Sequence, residues 1–372
     1  MVETVERRLW TALGPRTLAP EEPGYRGRQL FTWLYEKEAT SFAEMSTFSK
    51  AFREALAERA EIGSLSLVQA QRSAGDGTTK LLFELVDGRR IESVLIPPKT
   101  AFRAADEAEE EQRRLTLCVS TQVGCPLDCV FCATATMGLT RNLTPGEIVD
   151  QVMLARAHAG KPVTNLVFMG MGEPLLNYDN VMAAVEIITT GLKIAAKRIT
   201  LSTAGWAPAI RRMADEGRKV KLAVSLHTLN DAQRDDLMPV NKKYPIADLL
   251  DAVQYYYVRT KERVTFEYIL FAGWNDSDED LRRLVRLTRL IPSKINIIPF
   301  HDIAFAAPGA RAAALRPATA AATEAFARRL REQHVTVFVR SSAGEDIDAA
   351  CGQLAVRSER SRTRRAAARS NA

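Results

Sequence analysis

The amino-acid sequence predicts an α/β protein whose core is a parallel sheet rolled into a partial, TIM-like (β/α)6 barrel. A small helical accessory domain and a short β-hairpin linker precede it. Two observations carry the barrel. From Leu115 onward strand-like and helix-like segments alternate strictly, which is the pattern of a parallel sheet. The residues with chemical potential then collect at the C-terminal ends of the strand-like segments, where such barrels place their sites. With six or seven units rather than eight, the barrel stays open.

The elements follow in order. Residues 1 to about 20 read as a weakly ordered lead-in. Between Tyr25 and about Ala60, Leu30, Phe31 and Leu34 fit one helix face, as do Phe42, Met45, Phe48 and Phe52. Ser41 is a candidate N-cap with Glu44 three residues on. Lys80 to Ile96 alternates as paired strands do, with Asp87-Gly88 as the turn. The polar, acidic stretch 99–114 reads as a surface connection. Strands are expected at 115–121, 163–169, 197–203, 219–226, 264–271, 294–300 and 335–341. Helices are expected at 145–158, 178–190, 206–216, 246–259, 277–290 and 317–333. Thr144-Pro145-Gly146-Glu147 supplies a capping box with proline at the first helical position. The Ala-rich stretch 304–325 reads as a loop leading into a helix. The chain therefore divides into a helical domain over 1–75, a hairpin and linker over 76–114, a barrel over 115–354 and a basic, disordered tail over 355–372.

Composition narrows the function. No apolar run approaches the ~20 residues that a membrane span needs, and the N-terminus has no secretory-type apolar segment. Five cysteines in 372 residues do not make a disulfide scaffold, so a reducing cytoplasm is expected. Lys plus Arg is 51 against 45 for Asp plus Glu, a net charge of only +6. Six arginines nevertheless fall between Arg357 and Arg369 with Glu359 as the one acid. Such a tail suits phosphate contacts on a nucleic acid, or serves only as a solubilising end.

Four of the five cysteines, Cys118, Cys125, Cys129 and Cys132, lie within fifteen residues, the last three spaced C-x3-C-x2-C. Thiolates packed this closely suit soft metals or iron–sulfur clusters. A structural zinc wants four protein ligands, for which Cys118 is the available fourth. A 4Fe–4S cluster with one iron left open fits three cysteines better, and inert buried thiols are the alternative to both. Cys351 stands alone, more than two hundred residues away.

C-x3-C-x2-C with Phe131 before its last cysteine resembles the signature of radical S-adenosylmethionine (SAM) enzymes. The wider set is similar to the RlmN/Cfr family of RNA adenine methyltransferases from about Tyr25 to Leu354. Cys118-Val-Ser-Thr-Gln-Val-Gly-Cys125, Gly170-Met-Gly-Glu-Pro-Leu-Leu-Asn177, Leu201-Ser-Thr-Ala-Gly205, Ser225-Leu-His227 and Gly344-Glu-Asp-Ile-Asp-Ala-Ala-Cys-Gly-Gln-Leu354 carry it. The resemblance implies a radical SAM barrel in which Cys125, Cys129 and Cys132 hold a 4Fe–4S cluster whose open iron chelates SAM. Gly172 and Glu173 would line the methionine end; Ser202, Ser225, Leu226 and His227 would meet the ribose and adenine. Each serine alone also reads as an ordinary strand-end hydroxyl. His301 departs from the pattern, since many members carry Asn there; an imidazole can replace that hydrogen bond to SAM, and a structural histidine is the other reading.

By the same resemblance Cys351 carries the methyl group and Cys118 resolves the adduct through a Cys118–Cys351 disulfide. Glu92, in Ile91-Glu92-Ser93, matches the glutamate that removes the ring proton. The implied activity is methylation of adenine C2 in 23S rRNA, with tRNA as a second candidate substrate, by a monomer fed by an electron donor such as flavodoxin, away from membranes. Methylation at C8 uses the same cysteines; residues 25–60 resemble the C2 branch. From another class, a non-catalytic RNA-binding protein with a structural metal predicts that Cys351 is dispensable.

Overall fold

The computed structural model describes residues 24–98, 114–306, 314–340 and 342–354. The expected lead-in and basic tail, most of the acidic connection and part of the Ala-rich stretch lie outside the described residues.

Helix α1 (Gly24–Phe31) runs into a π-turn, and α2 (Lys50–Arg59) follows after a 3-10 turn at Phe42–Glu44. Leu30, Leu34, Phe42, Met45, Phe48 and Leu56 bury against one another as a small core. Burying each such side chain is worth ~1.5–3 kcal/mol, enough for a satellite cluster that also leans on the main body. Glu44 reaches back to the Ser41 amide at 2.9 Å, so the expected cap is present, on a 3-10 turn rather than on a longer helix. The Glu38 carboxylate meets Arg156 at 2.8 Å and Glu36 meets Lys193 at 2.9 Å, docking this unit on the barrel helices.

Strands β1 (Leu65–Arg72), β2 (Thr79–Leu85) and β3 (Arg90–Ile96) pair antiparallel in sequence. The sequence reading placed 65–72 in the helical region; it is instead an edge strand. Nearly every residue of β1 is exposed, so no buried face produces the alternation that marks a half-buried strand. The hairpin is also more than a linker. β3 pairs antiparallel with β4 (Thr116–Cys118), which makes the three strands an extension of the barrel sheet.

From β4 the sheet continues in parallel through β7 (Asn165–Phe168), β8 (Ile199–Thr203), β9 (Lys221–Ser225), β10 (Val264–Leu270), β11 (Ser293–Pro299) and β12 (Val337–Val339). Between β4 and β7 a separate two-stranded ribbon forms from β5 (Gln122–Gly124) and β6 (Leu139–Asn142). The crossover helices are α3 (Pro145–Ala159), α4 (Tyr178–Thr190), α5 (Ala207–Asp215), α7 (Ile246–Thr260), α8 (Asp278–Leu290) and α9 (Ala320–Glu332), with a short extra helix α6 (Asp231–Leu237) after β9. All six expected helices and seven expected strands are present within a few residues. Parallel strands buried on both faces read as apolar runs, as Leu222, Ala223 and Val224 of β9 show by their full burial. The predicted capping box closes α3: Glu147 donates its amide to Thr144 Oγ1, and its carboxylate accepts the Thr144 amide at 2.8 Å. Arg141 of β6 holds the Glu147 carboxylate bidentately at 2.8 Å and reaches Asp87 of the β2–β3 turn at 2.7 Å, tying ribbon, helix and hairpin together. Among the described residues no helix is long and apolar enough to cross a membrane.

The strand ends after β8 and β9 are held by a fully buried cation. Arg234 of α6 donates to the carbonyls of Ala204 at 2.8 Å, Ser225 at 3.0 Å and Leu226 at 3.3 Å, and to Asn241 at 2.9 Å. Substituting Arg234→Met removes a donor from the carbonyls of Ala204 and Ser225 and from Asn241 in the interior, while the Leu226 carbonyl keeps the Thr228 amide at 2.8 Å. The expected cost is about 3 kcal/mol, read as a lower denaturant midpoint at unchanged m-value; a midpoint equal to wild type refutes this role.

Candidate active site

At the C-terminal rim of the parallel strands opens a cavity of about 900 Å³, including its mouth. Cys125, Cys129 and Cys132 stand on its wall with Glu173 and His227. The loop that carries these cysteines follows β5, and Cys125 donates its amide to the Gly138 carbonyl at 3.0 Å. Burial pushes the Cys125 thiol up to about 12, with neighbouring Cys132 and Glu173 adding to it, and raises the Cys129 thiol as well. Mutual proximity is thus what perturbs these thiols beyond burial. Among the described residues no three such side chains converge as they would on a single metal ion. Thiolates spread around one wall suit a cluster, which brings its own irons and sulfides, better than a lone zinc.

The motif residues between the cysteines explain the rest of the wall. Ser120 Oγ donates to the Glu92 carbonyl at 2.6 Å and accepts the Met171 amide at 2.9 Å. Gln122 accepts the Glu173 amide at 2.8 Å, and Asn177 donates to the carbonyls of Thr121 and Leu143, both at 2.8 Å. The Ser-Thr-Gln stretch is therefore the seat on which the Gly170–Asn177 loop rests. That seat admits no side chain above it: a Cβ at Gly172, where φ is +99°, would lie 2.5 Å from Gln122 Cβ, and one at Gly170 would lie 2.7 Å from Ser120 Oγ. Glu173 is buried, accepting amides from Ala204 at 2.8 Å and Leu175 at 3.0 Å, and its burial raises its pKa against those bonds.

Two buried polar atoms on this wall have no partner in the protein, His227 Nε2 and Glu267 Oε2. His227 Nδ1 accepts the Ile269 amide at 3.0 Å, which puts the ring proton on Nε2. Burial, with Arg234 nearby, depresses the imidazole to about 3, so it stays neutral and its Nε2–H has no acceptor in the protein. The backbone of His227 is left-handed, φ +58°, a strain that persists at functional positions. Glu267 keeps one oxygen on Asn296 at 2.8 Å and leaves the other without a donor. An unmet buried polar atom costs about 1–3 kcal/mol, so a polar ligand such as SAM, with ribose hydroxyls and an adenine, meets what this wall lacks. The residues present fit a 4Fe–4S cluster with SAM beside it.

Behind this cavity lies a second, smaller one, lined by Cys118, Val94, His301 and Ala350. Cys351, Gly352 and Arg340 border both. Cys118 is buried on the last residue of β4, its thiol pushed up to about 12 by burial and then by the neighbouring Cys351. Cys351 is open to the cavities yet surrounded by protein; burial raises its thiol while Arg340 pulls the other way. All five cysteines are free thiols.

Most residues singled out from sequence come together. Gly172, Glu173, Ser202, Ser225 and His227 line the first cavity with the three cysteines. Leu226 is buried behind it, its carbonyl bound by Arg234. His301 is buried in the second chamber, Nδ1 3.3 Å from Glu345 and without hydrogen-bond geometry, rather than beside the other candidate SAM contacts. Glu92 lies on β3, paired with Lys80 at 3.7 Å. Sequence reasoning missed Lys80, Arg234, Glu267 and Arg340. A charged residue inside an apolar strand, as Glu267 is in Val264–Leu270, was the available signal.

With this geometry the comparisons with known proteins agree. The radical SAM superfamily model matches residues 119–285, and a model described as the ribosomal RNA large subunit methyltransferase N-terminal domain matches residues 18–62. The chain is 45% identical over 341 residues to a probable dual-specificity RNA methyltransferase RlmN of Salinibacter ruber, covering 90% of this chain and 88% of that one. It is 47% identical over 334 residues to the dual-specificity RNA methyltransferase RlmN of Geobacter sulfurreducens, covering 89% and 86%. A radical SAM methyltransferase from Sphaerobacter thermophilus superposes with a TM-score of 0.81 at 42% identity over 95% of this chain and 97% of that chain.

The raised thiols carry a direct test in cluster-free protein. With Cys118 and Cys125 near 12, the reactive thiolate is scarce at neutral pH and grows about tenfold per pH unit. Iodoacetamide labelling of both, followed by peptide mass spectrometry, is expected to be slow at pH 7.5 and to keep rising beyond pH 9. Labelling that levels off near pH 8.5 contradicts the burial-driven shift.

Proposed function

The chain belongs to the RlmN family of radical SAM RNA methyltransferases, and from that membership we propose that it methylates C2 of adenine in 23S rRNA, and in tRNA, through an S-methylated cysteine. One observation carries the reading: Cys118 and Cys351, far apart in sequence, border one chamber behind the wall of Cys125, Cys129 and Cys132. A structural metal site would give Cys351 no reason to be there. The match of residues 18–62 to the ribosomal RNA methyltransferase N-terminal domain supports RNA as substrate and the C2 branch.

The roles follow from chemistry. Cys125, Cys129 and Cys132 ligate the cluster, and Gly172, Glu173, Ser202, Ser225 and His227 hold SAM. Glu173, an acceptor at the loop that follows β7, suits the methionine ammonium, while His227 Nε2–H and the open oxygen of Glu267 suit the nucleoside. When bound, the cluster and SAM together supply the methyl group and the 5′-deoxyadenosyl radical that activates it. Adenine C2 is electron-poor and resists direct transfer, so Cys351 bears the methyl on its sulfur and presents its carbon to the ring. Glu92 accepts the proton that leaves C2. Cys118 then gives up its proton and attacks the Cys351 sulfur, a step that thiol chemistry makes accessible. The sulfur–carbon bond breaks with its electron pair on the carbon now joined to C2, which takes up a proton to become the methyl group, and a disulfide remains; the one unpaired electron would return to the cluster. The target base has to leave its stack to reach this depth. Action as a monomer in the cytoplasm with a flavodoxin-type electron donor completes the reading.

Mass spectrometry of ribosomal RNA from cells with and without the protein is expected to show 2-methyladenosine only where it is present; 8-methyladenosine instead would move the enzyme to the C8 reaction, and neither would end the proposal. In vitro, Cys125→Ala should lose cluster absorbance and on the order of 10³-fold or more of the activity. Cys118→Ala should retain the cluster and accumulate a covalent Cys351–RNA adduct on denaturing gels. A Cys118→Ala protein that turns over without adduct removes the resolving role.

A further inference from the structure

The second chamber lies between a sheet face and the loop that carries Cys351, and strand register says which side chains share that face. Lys80 of β2 lies opposite Val94 of β3, and Val94 opposite Cys118 of β4. Residues directly opposite across strands project to the same side, so the three form one row. Glu92, two residues before Val94, projects to that side as well. Lys80 and Glu92 are thus diagonal neighbours. Their charged groups stand 3.7 Å apart with side chains only 14% and 13% exposed. The same ammonium donates to the backbone carbonyl of Asp348 at 3.3 Å, three residues before Cys351.

From this placement we propose that Lys80 is a positioning residue that fastens the Cys351 loop to the Glu92 carboxylate, so that methyl carrier and proton acceptor reach the adenine as one unit. The proposal rests on the roles given above to Glu92 and Cys351. An ammonium has three donors and no acceptor, so it can serve a carboxylate and a carbonyl together. Without it, a carboxylate and a carbonyl, both acceptors, stand near each other with their shared donor gone. The loop's other attachments lie at its two ends. The β1–β2 turn holds the start of the loop, where Asp76 accepts the Gly344 amide at 2.9 Å and Asp346 accepts the Ala74 amide at 3.2 Å. On the far side, the Gly352 carbonyl accepts the Ala133 amide at 2.7 Å, and Gln353 donates to the Asp302 carbonyl at 3.0 Å. Lys80 alone among these contacts joins the loop to Glu92. Asp348 is left-handed at φ +52°, a conformation that needs such support.

The test compares Lys80→Met, Lys80→Arg and Glu92→Gln with two readouts. The first uses cluster-free protein without SAM: hydrogen exchange at the Ile347, Asp348 and Ala349 amides, which are bonded within the loop. The second is the amount of covalent Cys351–RNA adduct in the reconstituted enzyme during turnover. Lys80→Met is expected to exchange at these amides roughly tenfold faster at an unchanged global melting temperature. It should also accumulate adduct as Glu92→Gln does, while Lys80→Arg returns both readouts to within about threefold of wild type. Wild-type exchange and no adduct in Lys80→Met, with adduct present in Glu92→Gln, overturns the Lys80 proposal alone. Absence of adduct in Glu92→Gln overturns the base assignment itself and the coupling built on it.

Discussion

The antiparallel pairing of β3 with β4 is the contact on which the site depends. Register at Val94 and Cys118 brings a hairpin outside the barrel into line with the first barrel strand. Because strand side chains alternate, that register puts Glu92 and Cys118 on one face, and the β2–β3 pairing adds Lys80 to it. A slip of one residue would send all of β3 to the opposite face. The loop carrying Cys351 closes over this face, and its anchors from the β1–β2 turn exist only because the hairpin is part of the sheet. The three antiparallel strands thus belong to the catalytic architecture as much as the parallel ones do.

Polar side chains buried near the rim perform the positioning that loops alone cannot. Ser120 and Gln122 hold the loop of Glu173 on glycine-only contacts. Arg234 gathers three carbonyls at the ends of β8 and β9, acceptors that the interior keeps from water. In contrast, His227 Nε2 and Glu267 Oε2 are left unmet. Satisfied groups there fix the frame, and the unsatisfied ones belong to residues that line the cavity. This division follows from the cost of stranding a buried polar atom, which a scaffold avoids and a binding site defers to its ligand.

The same low-dielectric surroundings act on four of the thiols. Burial holds Cys118 and Cys125 up to about 12 and raises Cys129 and Cys351 as well, so these four are not reactive by default. Arg340, bordering both cavities, is the cation that acts on Cys118 and Cys351 together.

The sequence by itself determined the alternation of parallel strands and crossover helices, since buried strands need continuous apolar runs and helices need caps such as Thr144 with Glu147. The C-x3-C-x2-C spacing also set Cys125, Cys129 and Cys132 together as one group, while the pairing of Cys118 with Cys351 came only through resemblance. The sequence did not determine β1, whose exposed residues carry no alternation, nor the place of the hairpin, because pairing partners are chosen by long-range register rather than by local pattern. Glu92 was found only through resemblance, and Lys80, Arg234, Glu267 and Arg340 not at all. A charged residue in a one-dimensional string looks solvated until the fold buries it. Only the tertiary structure could decide that Cys118, adjacent to the cluster cysteines in sequence, faces the chamber of Cys351 instead.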